Sequence, residues 1–130
     1  MSTASTPGNG PVLEPTTQKM IDALAAAGGP PLYALSPSAA RDVLTRVQQV
    51  PVAKPPATIE DTTFPVGPTG TTRIRIVRPD GAQRPTPVVM WCHGGGWILG
   101  DKETHDRLVR EFARGTGATV VFVDYERSPE

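Results

Sequence analysis

One stretch constrains this chain more than any other: VVMWCHGGGWILGD, residues 88–101. Val88 to Cys92 form a continuous apolar run, the pattern of a strand covered on both faces. The run leads straight into His93, then Gly94, Gly95 and Gly96, then Trp97. Downstream, THDRLVREFARGTG carries Leu108, Val109, Phe112 and Ala113 on one helical face. Thr104 can cap that helix, Asp106 suits its first turn, and Gly115 or Gly117 can end it. ATVVFVDY is a second fully apolar strand. Strand, helix and strand in this order predict a parallel pair joined by a right-handed crossover.

The upstream half prepares for that unit. Residues 1–15 are small, polar and rich in Pro and Gly, which predicts a mobile, disordered tail. Two helices should follow within 16–50. In the first, Met20, Ile21, Leu24 and Ala27 fall at helical spacing before Gly28 and Gly29. In the second, Ser36 is a good N-cap, Pro37 suits the first helical position, and Val43, Leu44 and Val47 form the stripe before Pro51. TIEDTTFPV and TTRIRIVRP, separated by GPTG, then read as a half-buried antiparallel pair, with Ile74 and Ile76 alternating with Arg73, Arg75 and Arg78. The fold class is therefore α/β, with an antiparallel start to the sheet.

Composition excludes several kinds of function. Thirteen basic residues balance thirteen acidic ones, so the chain has no electrostatic footprint for nucleic acid or an anionic membrane. Its single cysteine, Cys92, rules out a disulfide within the chain and reads as a buried, reduced thiol. MSTASTPGNGPVLEP lacks the basic start and apolar core of a signal peptide, and no run approaches membrane-spanning length. A cytoplasmic location is expected.

Glycines at a strand-to-helix junction can cradle phosphate, permit close packing, or aim backbone N–H groups at developing negative charge. The phosphate motifs fail here. From Gly94 the sixth position of a dinucleotide fingerprint is Leu99, and from Gly95 the third is Trp97. A P-loop from Gly95 to Gly100 would need Lys and then Ser or Thr, but Asp101 and Lys102 follow. His93 and His105 with Asp101 or Asp106 imitate a metal site, but histidines twelve apart without a tight pair argue against one. Neither a metal nor a cofactor is expected. A tight turn with Trp97 filling a gap, and a set of amides aimed at an oxyanion, are the readings left.

The run HGGGWILGDKETHDRLVREFARGTGATVVFVDYERSPE closely resembles the hormone-sensitive-lipase family of α/β-hydrolases. That family typically shows His-Gly-Gly-Gly-Trp, then Gly-Asp, Thr-His-Asp and Asp-Tyr-Arg-Leu-Ala-Pro-Glu. The resemblance covers residues 88–130 well, and the two N-terminal helices look like the family's cap segment. It implies the N-terminal portion of an α/β-hydrolase fold: cap helices at 16–50 and the first part of the core at 51–130. It also implies a carboxylic-ester hydrolase with a serine nucleophile, a lipase or esterase acting on a small-molecule ester, with homodimerisation left open. Gly94 and Gly95 would then supply oxyanion amides, and Gly96 would let the loop bend. His93 would hold the loop by hydrogen bonds, and Trp97 would pack under the acyl or alcohol pocket. Asp101, Asp124 and Tyr125 would be loop-fixing residues. The chain departs from the pattern at YERSPE, where Glu126 replaces Arg and reverses its charge, and Arg127 and Ser128 replace Leu and Ala. An amide hydrolase of the formamidase type, a non-catalytic ligand-binding relative, and an α/β fragment without its own function are the rival readings.

An activated serine needs an exposed, strained perch between spaced glycines. Ser2, Ser5, Ser36, Ser38 and Ser128 all lack it. By the resemblance, Ser, Asp and His of the triad all lie downstream of the glycine motif, so the chain is expected to carry the oxyanion loop without the attacking group. The implied sheet order, 1-2-4-3-5 onward, leaves the second edge of VVMWC unpaired and apolar, which favours aggregation. The 130-residue polypeptide is therefore expected to show no triad-dependent hydrolysis. Turnover of a short-chain aryl ester by the purified chain, with serine-hydrolase behaviour, would contradict that expectation.

Overall fold

A computed structural model describes residues 12–129, in two units covering 12–31 and 32–129. Of the expected N-terminal tail, residues 1–11 lie outside the described residues. In the first unit, α1 spans Pro15–Ala27. The Glu14 side chain caps it, accepting from the amides of Thr16 at 2.9 Å and Thr17 at 3.0 Å, and Gly28 stops it at φ 68°. Met20, Ile21 and Leu24 on this helix are exposed.

The second unit holds α2 (Pro37–Gln48), β1 (Ala57–Phe64), β2 (Thr72–Pro79), β3 (Val88–Cys92), α3 (Asp106–Thr116) and β4 (Thr119–Asp124). The Ser36 hydroxyl caps α2 and Pro37 opens it, as the sequence indicates. The four strands lie in the order β1-β2-β4-β3. β1 with β2 and β2 with β4 are antiparallel, while β3 and β4 are parallel around α3. The parallel register sets Trp91 beside Phe122 and Cys92 beside Val123, so both strands deliver their following loops to the same end of the sheet.

The core lies between the sheet and α3. Val77, Val120 and Phe122 pack against Val109 and Ala113, and Trp91 meets the Phe112 ring edge-on at 5.2 Å. Gly117, in the left-handed conformation, turns the chain from α3 into β4. Thr104 does not cap α3. The N-cap residue is His105, without a side-chain cap bond, and the Thr104 hydroxyl instead serves the turn at Asp101.

Two expectations from periodicity change. β3 is not covered on both faces: on the face away from α3, Val88 is 67% and Met90 72% exposed, and Cys92 is exposed too. Among the β2 arginines, Arg73 is exposed but Arg75 is not. Arg75 is only 8% exposed, on the same sheet face as Val77, under the turn that leads into α3. Its guanidinium grips both oxygens of Asp61, directly opposite on β1, at 2.8 and 2.9 Å, and reaches Glu103 at 2.8 Å. Buried Asp106 joins the cluster through Lys54 at 2.7 Å and Arg110 at 3.0 Å. A cation can lie in this interior because each guanidinium nitrogen meets a carboxylate or carbonyl oxygen.

The hydrogen bonds from Arg75, against a smaller cost of burial, hold the Asp61 carboxyl well below the usual carboxylate range. Burial alone would raise Asp106, but hydrogen bonds from Lys54 and Arg110 outweigh it and the net shift is downward. Carboxyls depressed on folding stabilise the chain above their unfolded pKa, near 3.9, and lose that contribution as the pH falls from there through their lower folded values. Thermal melts should therefore fall steeply below about pH 4. Arg75→Ala should cost about 2–3 kcal/mol at neutral pH and make that acid limb shallower. An unchanged acid limb in the variant would contradict the role given to Arg75.

Candidate functional site

The site grows from the carboxyl ends of β3 and β4. His93 follows β3 and is buried, its ring stacked between Phe122 at 5.2 Å and Tyr125 at 4.3 Å, nearly parallel to both. The Tyr125 hydroxyl donates to the His93 carbonyl at 2.6 Å. His93 Nδ1 lies 2.8 Å from the Gly94 carbonyl, which can only accept, so Nδ1 carries the hydrogen and donates. The other ring nitrogen, Nε2, is buried without a hydrogen-bond partner among the described residues. The ring thus fixes where the loop leaves the sheet.

The glycines then do different work. Gly95 has φ 133° and its carbonyl accepts from the amides of Ile98 at 3.2 Å and Leu99 at 2.9 Å. A Cβ on Gly95 would collide with the Leu99 carbonyl. Gly96 has φ 62°, and Trp97 takes φ 60°, a conformation that strains a bulky side chain. Gly100, at φ 89°, seats the outgoing limb against the two histidines; a Cβ there would sit 2.7 Å from His93 Nδ1 and 2.9 Å from His105 Cε1. Gly94 is different. Its backbone is outside the left-handed region, and a Cβ added to it would meet nothing within 4 Å.

The bend borders an open cleft of about 490 Å³, lined by Cys92, His93, Gly94, Gly95, Gly96, Trp97 and Tyr125. Among the described residues, the loop's backbone hydrogen bonds use no amide of Gly94 or Gly95 as a donor. The Trp97 indole is 74% exposed at this cleft, not packed beneath it. A second cleft, of about 590 Å³, lies on the α2–α3 side of the same glycines and is walled by Leu44, Gln48, Leu99 and Leu108. A larger one, about 690 Å³, lies at the other end of the sheet beside Val88 and Thr119, far from the glycines.

Around the loop, the Asp101 carboxylate accepts from the amides of Glu103 at 3.0 Å and Thr104 at 2.8 Å. Burial would raise its pKa, but these bonds and the Arg127 charge bring the net shift downward. Asp124 is buried and paired with Arg73 at 3.1 Å. Burial pushes Tyr125 above its ordinary pKa and His105 below its own. The rings of His93 and His105 lie 5.0 Å apart, yet among the described residues no group of three His, Cys, Asp or Glu side chains gathers to hold a metal. Glu126, the charge-reversed position, accepts a hydrogen bond from Thr69, and Arg127 donates to the Gly100 carbonyl at 3.0 Å. Sequence reasoning gave no role to Arg127 or Arg41; Arg127 reaches the Gly100 carbonyl and the Asp101 carboxylate, and Arg41 reaches the Ile98 and Ser128 carbonyls, contacts across the chain that leave no motif.

Comparison with known proteins gives a consistent picture. A family model described as alpha/beta hydrolase fold matches residues 89–130. A putative alpha/beta hydrolase of Acanthamoeba polyphaga mimivirus is 32% identical over 118 residues, 91% of this chain and 33% of that protein. The carboxylesterase NlhH of Mycobacterium tuberculosis is 42% identical over 93 residues, 70% of this chain and 28% of that one. The crystal structure of a thermostable esterase from Pseudomonas putida is similar with a TM-score of 0.82 and 40% identity, over 97% of this chain and 38% of that one. The chain thus spans about a third of the length of the relatives it matches.

The loop geometry sets two expectations. Gly100→Ala should destabilise the chain by about 2–4 kcal/mol, combining left-handed strain with overpacking against the histidines. Gly94→Ala should change stability by less than about 1 kcal/mol. Denaturant titration distinguishes them. His105, depressed on folding, stabilises the chain above about pH 6.5 and loses that share as the pH falls. His105→Gln should therefore flatten the melting temperature between about pH 7 and 5, where the parent declines.

Proposed function

We propose, on the premise that the chain belongs to the α/β-hydrolase family of the hormone-sensitive-lipase type, that its glycine loop is the oxyanion half of a carboxylic-ester hydrolase site. The observation that carries this reading is the state of two amides. Those of Gly94 and Gly95 border an open cleft and donate to no loop acceptor among the described residues. They are available to a carbonyl oxygen as it gains charge in a tetrahedral intermediate. Two such donors lower the barrier because they are already oriented before the charge develops.

The remaining residues serve that geometry in this reading. His93 and Tyr125 anchor the start of the loop, and Gly96 permits its reversal. Trp97 borders the cleft where the ester enters. Asp101 and Asp124 hold the flanking turn and strand end. The attacking serine and its His and Asp partners belong to sequence not present in residues 1–130, and the substrate is a small-molecule ester handled without a cofactor in the cytoplasm. No helix among the described residues is long and apolar enough to cross a membrane.

A chimera tests the reading. Residues 1–130 are joined to the part of the Pseudomonas putida esterase beyond the matched 38%. The folded chimera should hydrolyse 4-nitrophenyl acetate. Gly94→Ala, whose methyl would enter the space for the carbonyl oxygen, should lower kcat/KM by about 10²-fold, comparable to losing one oxyanion donor. A folded, active chimera indifferent to Gly94→Ala would overturn the assignment.

A further inference from the structure

The helix α2 is thinly attached to the rest of its unit through apolar contacts. Ala40 is its single buried residue. Its polar attachment is much more specific. Arg41 Nε donates to the Ile98 carbonyl at 2.8 Å, and the same guanidinium donates through Nη2 to the Ser128 carbonyl at 2.8 Å. The Ser128 amide in turn donates to the Trp97 carbonyl at 2.8 Å. These three bonds close a circuit through α2, the outgoing limb of the glycine loop, and the segment after β4. Arg127 adds a fourth bond to the same limb, at the Gly100 carbonyl. Three of the four successive carbonyls from Trp97 to Gly100 are therefore held by donors from outside the loop.

Resting on the reading of the glycine loop as an oxyanion site, we infer that Arg41 is a positioning residue for that loop and couples it to α2. The coupling has a geometric basis. Ile98 and Leu99 both donate to the Gly95 carbonyl, so fixing the Ile98 carbonyl fixes the turn whose other side is Gly95. Arg41, Leu44 and Gln48 stand at i, i+3 and i+7 and share one face of α2. Leu44 and Gln48 wall the cleft that Gly94 and Gly95 also line. One guanidinium thus sets both the outgoing limb of the bend and the distance of that wall. A lysine cannot replace it, because a single ammonium on a flexible stem lacks the planar fork that reaches two carbonyls at once.

The test reads loop geometry and not turnover, so it can fail or succeed apart from the hydrolase reading. Amide hydrogen exchange is measured by NMR on the 130-residue chain, with Arg41→Gln, Arg41→Lys and Arg46→Gln, the last on the same helix. Exchange of the Ile98, Leu99 and Ser128 amides should accelerate roughly tenfold to a hundredfold in Arg41→Gln, as for loss of hydrogen bonds from a charged donor. The Gly94 and Gly95 amide resonances should shift with them. Arg41→Lys should fail to restore protection, Arg46→Gln should match the parent, and the β4 amides of Val121 and Phe122 should stay protected throughout. Unchanged loop protection in Arg41→Gln overturns the inference. So does full rescue by Arg41→Lys, or a uniform loss of protection across β4 and the loop, which would make Arg41 a support of the whole fold.

Discussion

The stack of Phe122, His93 and Tyr125 at the carboxyl ends of β3 and β4 is the constraint on which the candidate site rests. It joins the carboxyl ends of the two strands, and its imidazole offers aromatic faces and an N–H donor in one compact ring. The faces pack on Phe122 and Tyr125, and the Nδ1 hydrogen turns the Gly94 carbonyl inward. On either side of that carbonyl, the Gly94 and Gly95 amides border the cleft and donate to no backbone acceptor among the described residues. A leucine would supply the packing without the bond, and an asparagine the bond without the packing.

The two faces of the sheet carry different burdens. On the α3 face, a small apolar core of Val77, Val109, Ala113, Val120 and Phe122 adjoins the ionic cluster of Arg75, Asp61 and Asp106. The cluster ties β1, β2, the 101–105 turn and α3 together, and Arg127 adds a contact to that turn at Asp101, while Arg41 holds the preceding limb at Ile98. The other face leaves Val88 and Met90 of the edge strand open. Burial is thus concentrated beneath the glycine loop, and the strand that launches the loop is stabilised through its one neighbour, β4.

Much of this was legible in the linear chain because it is local. The helix starts at Ser36 and Pro37, the stop at Gly117, the antiparallel pair and the parallel strand–helix–strand unit follow from caps, turns and apolar periodicity within short windows. The motif around His93 also marked the site. Other features were misread where a distant segment overrode the local pattern. Arg75 looked solvent-facing by alternation, but the turn near Glu103 lies over it and supplies carboxylates. Val88 to Cys92 looked doubly buried by composition, but the sheet face that carries Val88 and Met90 is open. Thr104 looked like a cap, but Asp101, three residues earlier, competes for its hydroxyl and amide.

What the sequence by itself determined is the order and type of the elements and the need for residues without side chains after His93, since both depend on backbone preferences that act over a few residues. What only the tertiary structure decided is which glycine is sterically obliged and which is merely open, and which arginines hold the loop. Gly95 and Gly100 are obliged by the Leu99 carbonyl and the histidine rings, while Gly94 faces free space. Arg41 and Arg127 find carbonyls 57 and 27 residues away. Such contacts are set by how the folded chain crosses itself, and no local propensity encodes them.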